Sequence, residues 1–206
     1  MPTVPLSLFV DFMLMAGTGR IAHVRSFKKT GDVPSFFKPF IDTLVNAYND
    51  EKPVRAALDE MIFALTDERA RRLFSAAERG YLSFVDAPVI RGNKEPTWFI
   101  PPMRDYPIGP LTLRTDPEIG LLIDGRPHVL KLYLRGDPIN PQQIAITTTL
   151  LTSALQTTWP GVTFGVLDVR RGRMFTYRRA EHDIATLMKA EAATFSALYA
   201  ALRVDQ

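Results

Sequence analysis

The sequence predicts an α+β protein in which a helical N-terminal part accompanies a mixed β-sheet flanked by helices. Two changes in pattern support this class. Through the first 85 residues, apolar side chains recur every three or four positions, which is typical of amphipathic helices. After residue 110 they alternate, as in strands, with helical segments between. This order indicates an α+β or mixed α/β arrangement.

Four helices are predicted in the N-terminal part. They cover residues 7–15, 35–49, 53–65 and, beginning at residue 66 or 67, a segment extending towards residue 80. Gly17 and Gly19 end the first helix, and Pro53 suits the first turn of the third. A basic group after the first helix is predicted to lie on a surface loop. Its members are Arg20, Arg25, Lys28 and Lys29.

Six prolines crowd the segment 86–110, and they argue against a helix or a central strand there. We therefore expect a Pro-rich connector at 86–110 between a helical region at 1–85 and an α/β sheet region at 111–206. A single domain continuous from residue 66 is the alternative.

The C-terminal region is predicted to hold five strands and two helices. The strands are 111–114, 118–123, 128–134, 162–169 and 174–178, and the helices are 140–158 and 183–203. Asn140 and Pro141 are typical of the cap and first position of a helix. The last helix has an apolar side that serves either the chain's own core or a second copy in a homo-oligomer.

Asp124-Gly125 between two alternating apolar segments predicts a tight β-hairpin. With these two residues as the loop, Glu118 lies opposite Lys131. With the loop shifted to Gly125-Arg126, Glu118 lies opposite Tyr133. In either register, side-chain alternation places Asp116, Glu118 and Lys131 on one face of the hairpin.

Two carboxylates and a lysine on one face are typical of metal-assisted phosphoryl chemistry. Mg²⁺ is commonly held by one or two carboxylates together with water and substrate phosphate. A nearby lysine can orient an attacking water or neutralise developing charge. Gly120, on the same face, would let a phosphate backbone approach closely. Asp116 and Glu118 are therefore candidate Mg²⁺ ligands.

The segment resembles the PD-(D/E)XK nuclease superfamily, whose core runs helix, three strands, helix, strand. The resemblance implies a restriction-endonuclease-like core and Mg²⁺-dependent hydrolysis of phosphodiesters. It gives Asp116 or Glu118 the place of the acid on the second strand and Lys131 that of the lysine on the third, so the candidate catalytic residues are Asp116, Glu118 and Lys131. Val129 stands where the family has an acid two residues before the lysine. The resemblance also gives Glu78 the place of an acid on the preceding helix, and it lets Gln142 or Gln143 line the site.

Two other readings of these residues stay open. Glu118 and Lys131 can form a plain cross-strand ion pair. The chain can also be a non-catalytic nucleic-acid-binding or protein-assembly module with a degenerate site. Arginines interleaved with aromatic residues near the C-terminus predict contact with a nucleic-acid backbone, or else a solvated hairpin tip. These arginines are Arg170, Arg171, Arg173, Arg178 and Arg179.

Composition restricts the chemistry and the compartment. The chain has 25 Lys and Arg against 22 Asp and Glu, so it is only mildly basic. It has no cysteine, which excludes disulfides and thiolate ligands and favours a reducing cytoplasm. The three histidines lack the spacing of a zinc site. The apolar N-terminal stretch is too short to span a bilayer and lacks a basic leader, so we expect a cytoplasmic protein without a membrane partner.

Overall fold

The computed structural model describes residues 1–32, 35–91, 96–176 and 182–203. The helices are α1 (Leu6–Leu14), α2 (Thr18–Thr30), α3 (Lys38–Asn49), α4 (Val54–Phe63), α5 (Glu68–Val85), α6 (Pro88–Arg91), α7 (Pro141–Leu155) and α8 (His182–Ala201). The strands are β1 (Thr3–Pro5), β2 (Thr97–Phe99), β3 (Arg104–Ile108), β4 (Leu111–Thr115), β5 (Ile119–Ile123), β6 (Arg126–Tyr133), β7 (Thr163–Asp168) and β8 (Arg173–Thr176). The predicted α+β class is confirmed.

The strands form two sheets. The larger has five strands in the order β2-β5-β6-β7-β8, and its one parallel pair, β6 and β7, is joined by α7. The smaller has the order β1-β4-β3, with β1 parallel to β4. The chain crosses from the small sheet to the large one between β4 and β5, at residues 116–118.

Helices cover both faces of the five-stranded sheet. On one face, Leu121 and Leu130 pack with Phe74 and Tyr81 of α5 and with residues of α3 and α4. On the other face, Val129 packs in a second cluster with residues of α1, α7, α8 and the small sheet. Because β1 pairs with β4 and α1 packs on α7, the packing crosses the predicted region boundary at residue 85.

The segment after α1 is a helix, so the prediction of a surface loop there was wrong. Val24 and Phe27 of α2 are buried in the core shared with α8. Lys28 donates to the Tyr199 carbonyl at 2.6 Å and to the Leu202 carbonyl at 2.9 Å. An ammonium group at these C-terminal carbonyls is favourable because they are left without intrahelical donors. This helix was not predicted from the sequence because its apolar stripe is narrow.

The Pro-rich segment carries more structure than a connector. Pro88 begins the short helix α6, so the prediction that no helix forms there was wrong. The strands β2 and β3 each lie at the edge of a sheet, and none of the segment's described residues forms a central strand, as predicted. Pro107 is tolerated within β3 because an edge strand leaves one side without ladder hydrogen bonds.

A close backbone contact joins α5 to the 3₁₀ turn Val169–Arg171. A Cβ atom at Gly80 would lie 2.0 Å from the Val169 carbonyl oxygen and 2.7 Å from the carbonyl carbon of Arg170. Gly172, at φ +59°, completes the contact from the other side, since its Cβ would lie 2.8 Å from the Gly80 oxygen. Only glycine at position 80 lets the helix rest on this turn.

Among the helices that the structure describes, none combines the length and the hydropathy needed to cross a bilayer.

We predict that Gly80→Ala lowers the free energy of unfolding by about 3 kcal/mol, because the added methyl group meets backbone atoms that cannot move aside. Chemical denaturation of the purified variant measures this change. Gly19→Ala is the matched control, since nothing lies within 4 Å of a Cβ atom there. That control should leave stability unchanged or raise it by up to about 1 kcal/mol. Equal stability of the two variants would contradict the contact.

Candidate functional site

The hairpin predicted around Asp124-Gly125 is present and is formed by β5 and β6. Both loop residues have positive φ, 48° for Asp124 and 74° for Gly125, as a type I′ turn requires. Ile119 pairs with Leu130, so the ladder runs in the register that sets Glu118 opposite Lys131. The alternative register, with Glu118 opposite Tyr133, does not occur.

Lys131 lies at the centre of a charge cluster. Its Nζ donates to Glu118 Oε1 at 2.6 Å, to Asp116 Oδ1 at 3.1 Å and to the Asp116 carbonyl oxygen at 2.9 Å. An ammonium group has three protons, so each one has an acceptor. The second oxygen of Glu118, Oε2, accepts from the Leu132 amide at 2.9 Å. Both oxygens of this carboxylate therefore have protein donors.

The cluster lies where the chain passes between the two sheets. Asp116 and Glu118 belong to the crossing segment, and Lys131 belongs to the central strand β6. Because β5 begins only at Ile119, the Leu132 amide lies beyond the β5–β6 ladder, and the Glu118 side chain satisfies it. The three side chains thus extend the sheet by hydrogen bonds where its backbone pairing stops.

The cluster is mostly buried. The side chains of Lys131 and Glu118 are 11% and 14% exposed, and that of Asp116 is 40% exposed. Burial raises the pKa of Glu118, and the opposing effects of Lys131 and the Leu132 amide only partly offset it. Burial alone would lower the pKa of Lys131, but the two carboxylates outweigh it and raise that pKa. Lys131 therefore remains an ammonium ion at neutral pH and cannot act as a general base.

A cleft of about 390 Å³ opens beside the cluster. Besides Glu118 and Lys131, its lining includes Arg135, which follows β6, and Asp11 on α1, and these two form an ion pair. Burial raises the pKa of Asp11, partly opposed by Arg135 and by His23 of α2. Asp116 does not line the cleft. The three predicted catalytic residues are thus in contact, but only two of them face the open space.

Two further residues that the resemblance assigns to the site lie in different parts of the structure. Gln143 of α7 lines the same cleft as Lys131. Glu78 of α5 instead faces Asp59 of α4, and burial and this second carboxyl group raise its pKa. Glu78 therefore belongs to the contact between α4 and α5.

The missing side chain at Gly120 makes room for a protein residue and not for the predicted phosphate backbone. A Cβ atom there would lie 2.4 Å from the carbonyl oxygen of Phe99 and 2.8 Å from its ring. Phe99, on β2, pairs with Gly120 and covers it. The expectation that a phosphate backbone would approach at Gly120 was wrong, because an edge strand occupies that space.

The donor set does not fit a resident Mg²⁺ ion as the side chains lie. Both oxygens of Glu118 accept from protein groups, and Lys131 contacts both carboxylates. Val129, which stands where the resemblance expects an acid two residues before the lysine, is fully buried in the core. Among the described residues, no group of three or more His, Cys, Asp or Glu is arranged to hold a metal. The predicted Mg²⁺ therefore finds no open set of ligands here.

The predicted arginines divide into three kinds. Arg170 and Arg171 lie in the 3₁₀ turn after β7, and Arg171 donates to both oxygens of the buried Asp168 and to the Gly136 carbonyl. Arg173 is exposed at the start of the edge strand β8. Arg178 and Arg179 lie outside the described residues. Arg171 thus has structural contacts, the Arg170 backbone packs against Gly80, and Arg173 projects into solvent.

Sequence reasoning missed Arg135 and Asp11 as cleft residues. Arg135 follows β6 directly, and the carboxyl ends of β6 and β7 meet at one edge because these strands are parallel. Ligands of open α/β sheets commonly bind at such an edge. Recognising the parallel pair from the sequence would have indicated Arg135, whereas Asp11 comes from an element distant in the chain.

Comparison of the chain with protein-family models, with curated proteins and with solved structures finds no match.

We predict that Lys131→Met lowers the free energy of unfolding by about 3–5 kcal/mol at neutral pH, because it leaves the buried Glu118 carboxylate without its counter-ion. Without Lys131, the pKa of Glu118 rises further in the folded state. A raised folded-state pKa favours folding most at low pH and is lost as pH rises through it. The destabilisation should therefore be smaller at about pH 5 than at about pH 7.5, as measured by urea denaturation.

Lys38→Met is the matched control, because Lys38 pairs with Asp42 on the surface, where its side chain is 54% exposed. Its cost should stay below about 0.5 kcal/mol at both pH values. A Lys131→Met effect as small as that of the control would mean that the cluster contributes little to the fold.

Proposed function

We propose that the chain is a non-catalytic, nuclease-like module that binds a phosphodiester backbone. The observation that carries this proposal is the closed cluster at Lys131, in which all three ammonium protons and both Glu118 oxygens have protein partners. A hydrolytic site needs ligands or proton acceptors that remain free for metal, water and substrate. The cluster serves the junction between the sheets instead.

The nuclease-like part of the proposal draws on the order of elements. The helix α5 precedes β2, β5 and β6, and α7 then leads to β7 beside β6. This is helix, three strands, helix, strand, with the short helix α6 inserted before the first strand and the small-sheet strands β3 and β4 inserted after it. The strand predicted at 111–114 does not lie beside the hairpin, because it pairs with β1 and β3. The edge strand β2 takes that place.

The binding part of the proposal draws on arginines around the carboxyl ends of β6 and β7. Arg135, which pairs with Asp11, has a side chain that is 60% exposed, and Arg171, which also bonds Asp168 and the Gly136 carbonyl, has one that is 31% exposed. Arg173 begins the next strand and pairs in register with Asp168. The guanidinium group of arginine can donate two parallel hydrogen bonds to phosphate oxygens. Such contacts position a protein on a nucleic acid without reading its sequence. The proposal includes a reducing cytoplasmic location, since the chain lacks cysteine.

We predict that the protein retards a single-stranded or duplex oligonucleotide in a gel-shift assay and that binding weakens with salt. Three phosphate contacts would lower the affinity about 40-fold for a duplex and about 20-fold for a single strand between 50 and 200 mM salt, because salt opposes the release of counter-ions from the backbone. Arg135→Ala with Arg173→Ala should reduce the slope of affinity against salt by about two contacts.

Arg72→Ala is the control for lost charge, because Arg72 is exposed on the first half of α5. It should leave the salt slope unchanged. Binding that is equal at both salt concentrations would reject backbone recognition. A stable oligomer with no binding, seen by sedimentation, would favour the protein-assembly alternative.

A metal-dependent nuclease is the second candidate, and the cleft favours it, because Glu118, Lys131 and Gln143 line one open space. In this case Asp116 and Glu118 would hold Mg²⁺, which would supply charge stabilisation for the hydrolysis.

A cleavage assay on the wild-type protein distinguishes the non-catalytic binding module from the metal-dependent nuclease. We predict that a labelled oligonucleotide incubated with Mg²⁺ stays intact, because no carboxylate oxygen of Glu118 is free to bind the metal. Product analysis on a denaturing gel measures cleavage. Cleavage by the wild type that is lost in a Lys131→Ala variant shown to be folded by its thermal melting curve would overturn the non-catalytic proposal and establish the nuclease.

A further inference from the structure

The cleft beside Lys131 has a wall with unused hydrogen-bonding groups. Gln143 and Thr147 lie one turn apart on α7, are 9% and 5% exposed, and both line the cleft. The Gln143 backbone amide donates to the Asn140 cap, but its side-chain amide makes no hydrogen bond with a described residue. The Thr147 hydroxyl also has no such partner, unlike Thr148 and Thr152, whose hydroxyls donate to helix carbonyls.

These polar atoms face open space. Among the described residues, the side-chain polar atoms that are sealed from solvent without a partner are Arg170 Nε and Glu191 Oε2. The Gln143 amide and the Thr147 hydroxyl are not among them, so they keep access to the cleft that they line. Because these atoms are open to the cleft, a ligand with complementary groups could replace the solvent that contacts them. This wall is therefore suited to a ligand with adjacent donors and acceptors.

The size and the remaining lining narrow the class of ligand. A cleft of about 390 Å³ lies within the usual range for small-molecule sites, so it admits one nucleotide-sized group and not a duplex. Ile139 and Val166, both nearly fully buried, give it an apolar part that suits a flat ring. Arg135 contributes a guanidinium that pairs with Asp11 of the lining but is still 60% exposed, so its exposed part suits a phosphate.

We propose that this cleft binds an adenine nucleotide, with the base against Gln143 and Thr147 and the phosphate towards Arg135. A glutamine amide offers one donor and one acceptor side by side, and adenine presents the complementary pair at N6 and N7. The same edge of guanine presents two acceptors, which the amide cannot match. The nucleotide is either free or the terminal residue of a strand, and the second source rests on the proposed function.

Isothermal titration of the full chain with AMP, adenosine and GMP tests the proposal. We expect AMP to bind more tightly than adenosine, because of the phosphate, and at least about tenfold more tightly than GMP. Gln143→Leu should weaken AMP binding about 10- to 100-fold. Gln142→Leu is the matched control, since Gln142 is the exposed neighbour on the same turn of α7, and it should bind AMP as the wild type does.

Thermal melting without ligand checks that each variant is folded. If Gln143→Leu fails to fold, Thr147→Val takes its place, because it removes only the hydroxyl. Any of three results would overturn the proposal. They are the absence of a heat of binding for AMP up to about 1 mM, equal affinities for AMP and GMP, and equal effects of Gln143→Leu and Gln142→Leu on AMP binding.

A trinucleotide ending in adenosine distinguishes the two sources. Two results together would show that the base belongs to a strand. Gln143→Leu should weaken binding of the trinucleotide, and Arg135→Ala combined with Arg173→Ala should make that binding less sensitive to salt. Gln143-dependent AMP binding, together with no salt-sensitive binding of oligonucleotides, supports a free nucleotide and rejects only the backbone-binding function. A failure of the adenine-nucleotide proposal can therefore be distinguished from a failure of the proposed backbone-binding function.

Discussion

The structure depends on one buried cation. Lys131 lies on the central strand of the large sheet and donates to Glu118 and Asp116, which lie where the chain leaves the small sheet. These hydrogen bonds fix the crossing between two sheets whose backbones do not pair with each other there. Glu118 also satisfies the Leu132 amide beyond the β5–β6 ladder. Removing Lys131 would leave the buried Glu118 carboxylate without a counter-ion, which costs more than the pair itself contributes.

The same interaction restricts what the site can do. A lysine with three acceptors and two carboxylates beside it keeps its proton, so it supplies fixed positive charge and no base. The Glu118 carboxylate, occupied on both oxygens, offers little to a metal. The remaining capacity for recognition lies elsewhere in the cleft, in the amide of Gln143, the hydroxyl of Thr147 and the exposed part of the Arg135 guanidinium. Binding is therefore better supported than hydrolysis.

The sequence predicted what is set by local chemistry. Asp124-Gly125 determines the turn, and the turn determines the register that brings Glu118 to Lys131. The burial of that pair was not predictable, because it depends on helices from distant parts of the chain. The place of β2 beside β5 was missed for the same reason, since β3 and β4 intervene. Gly120 was misinterpreted because its neighbour Phe99 comes from that unrecognised strand.

A double-mutant cycle between Glu118 and Lys131 tests the central claim most directly. Unfolding free energies of the wild type, Glu118→Gln, Lys131→Met and the double variant give the coupling between the two side chains without the costs that each substitution brings alone. A structural ion pair at this junction predicts a coupling of about 2–3 kcal/mol at neutral pH. A coupling below about 0.5 kcal/mol, as for exposed pairs, would contradict the claim that this pair holds the two sheets together.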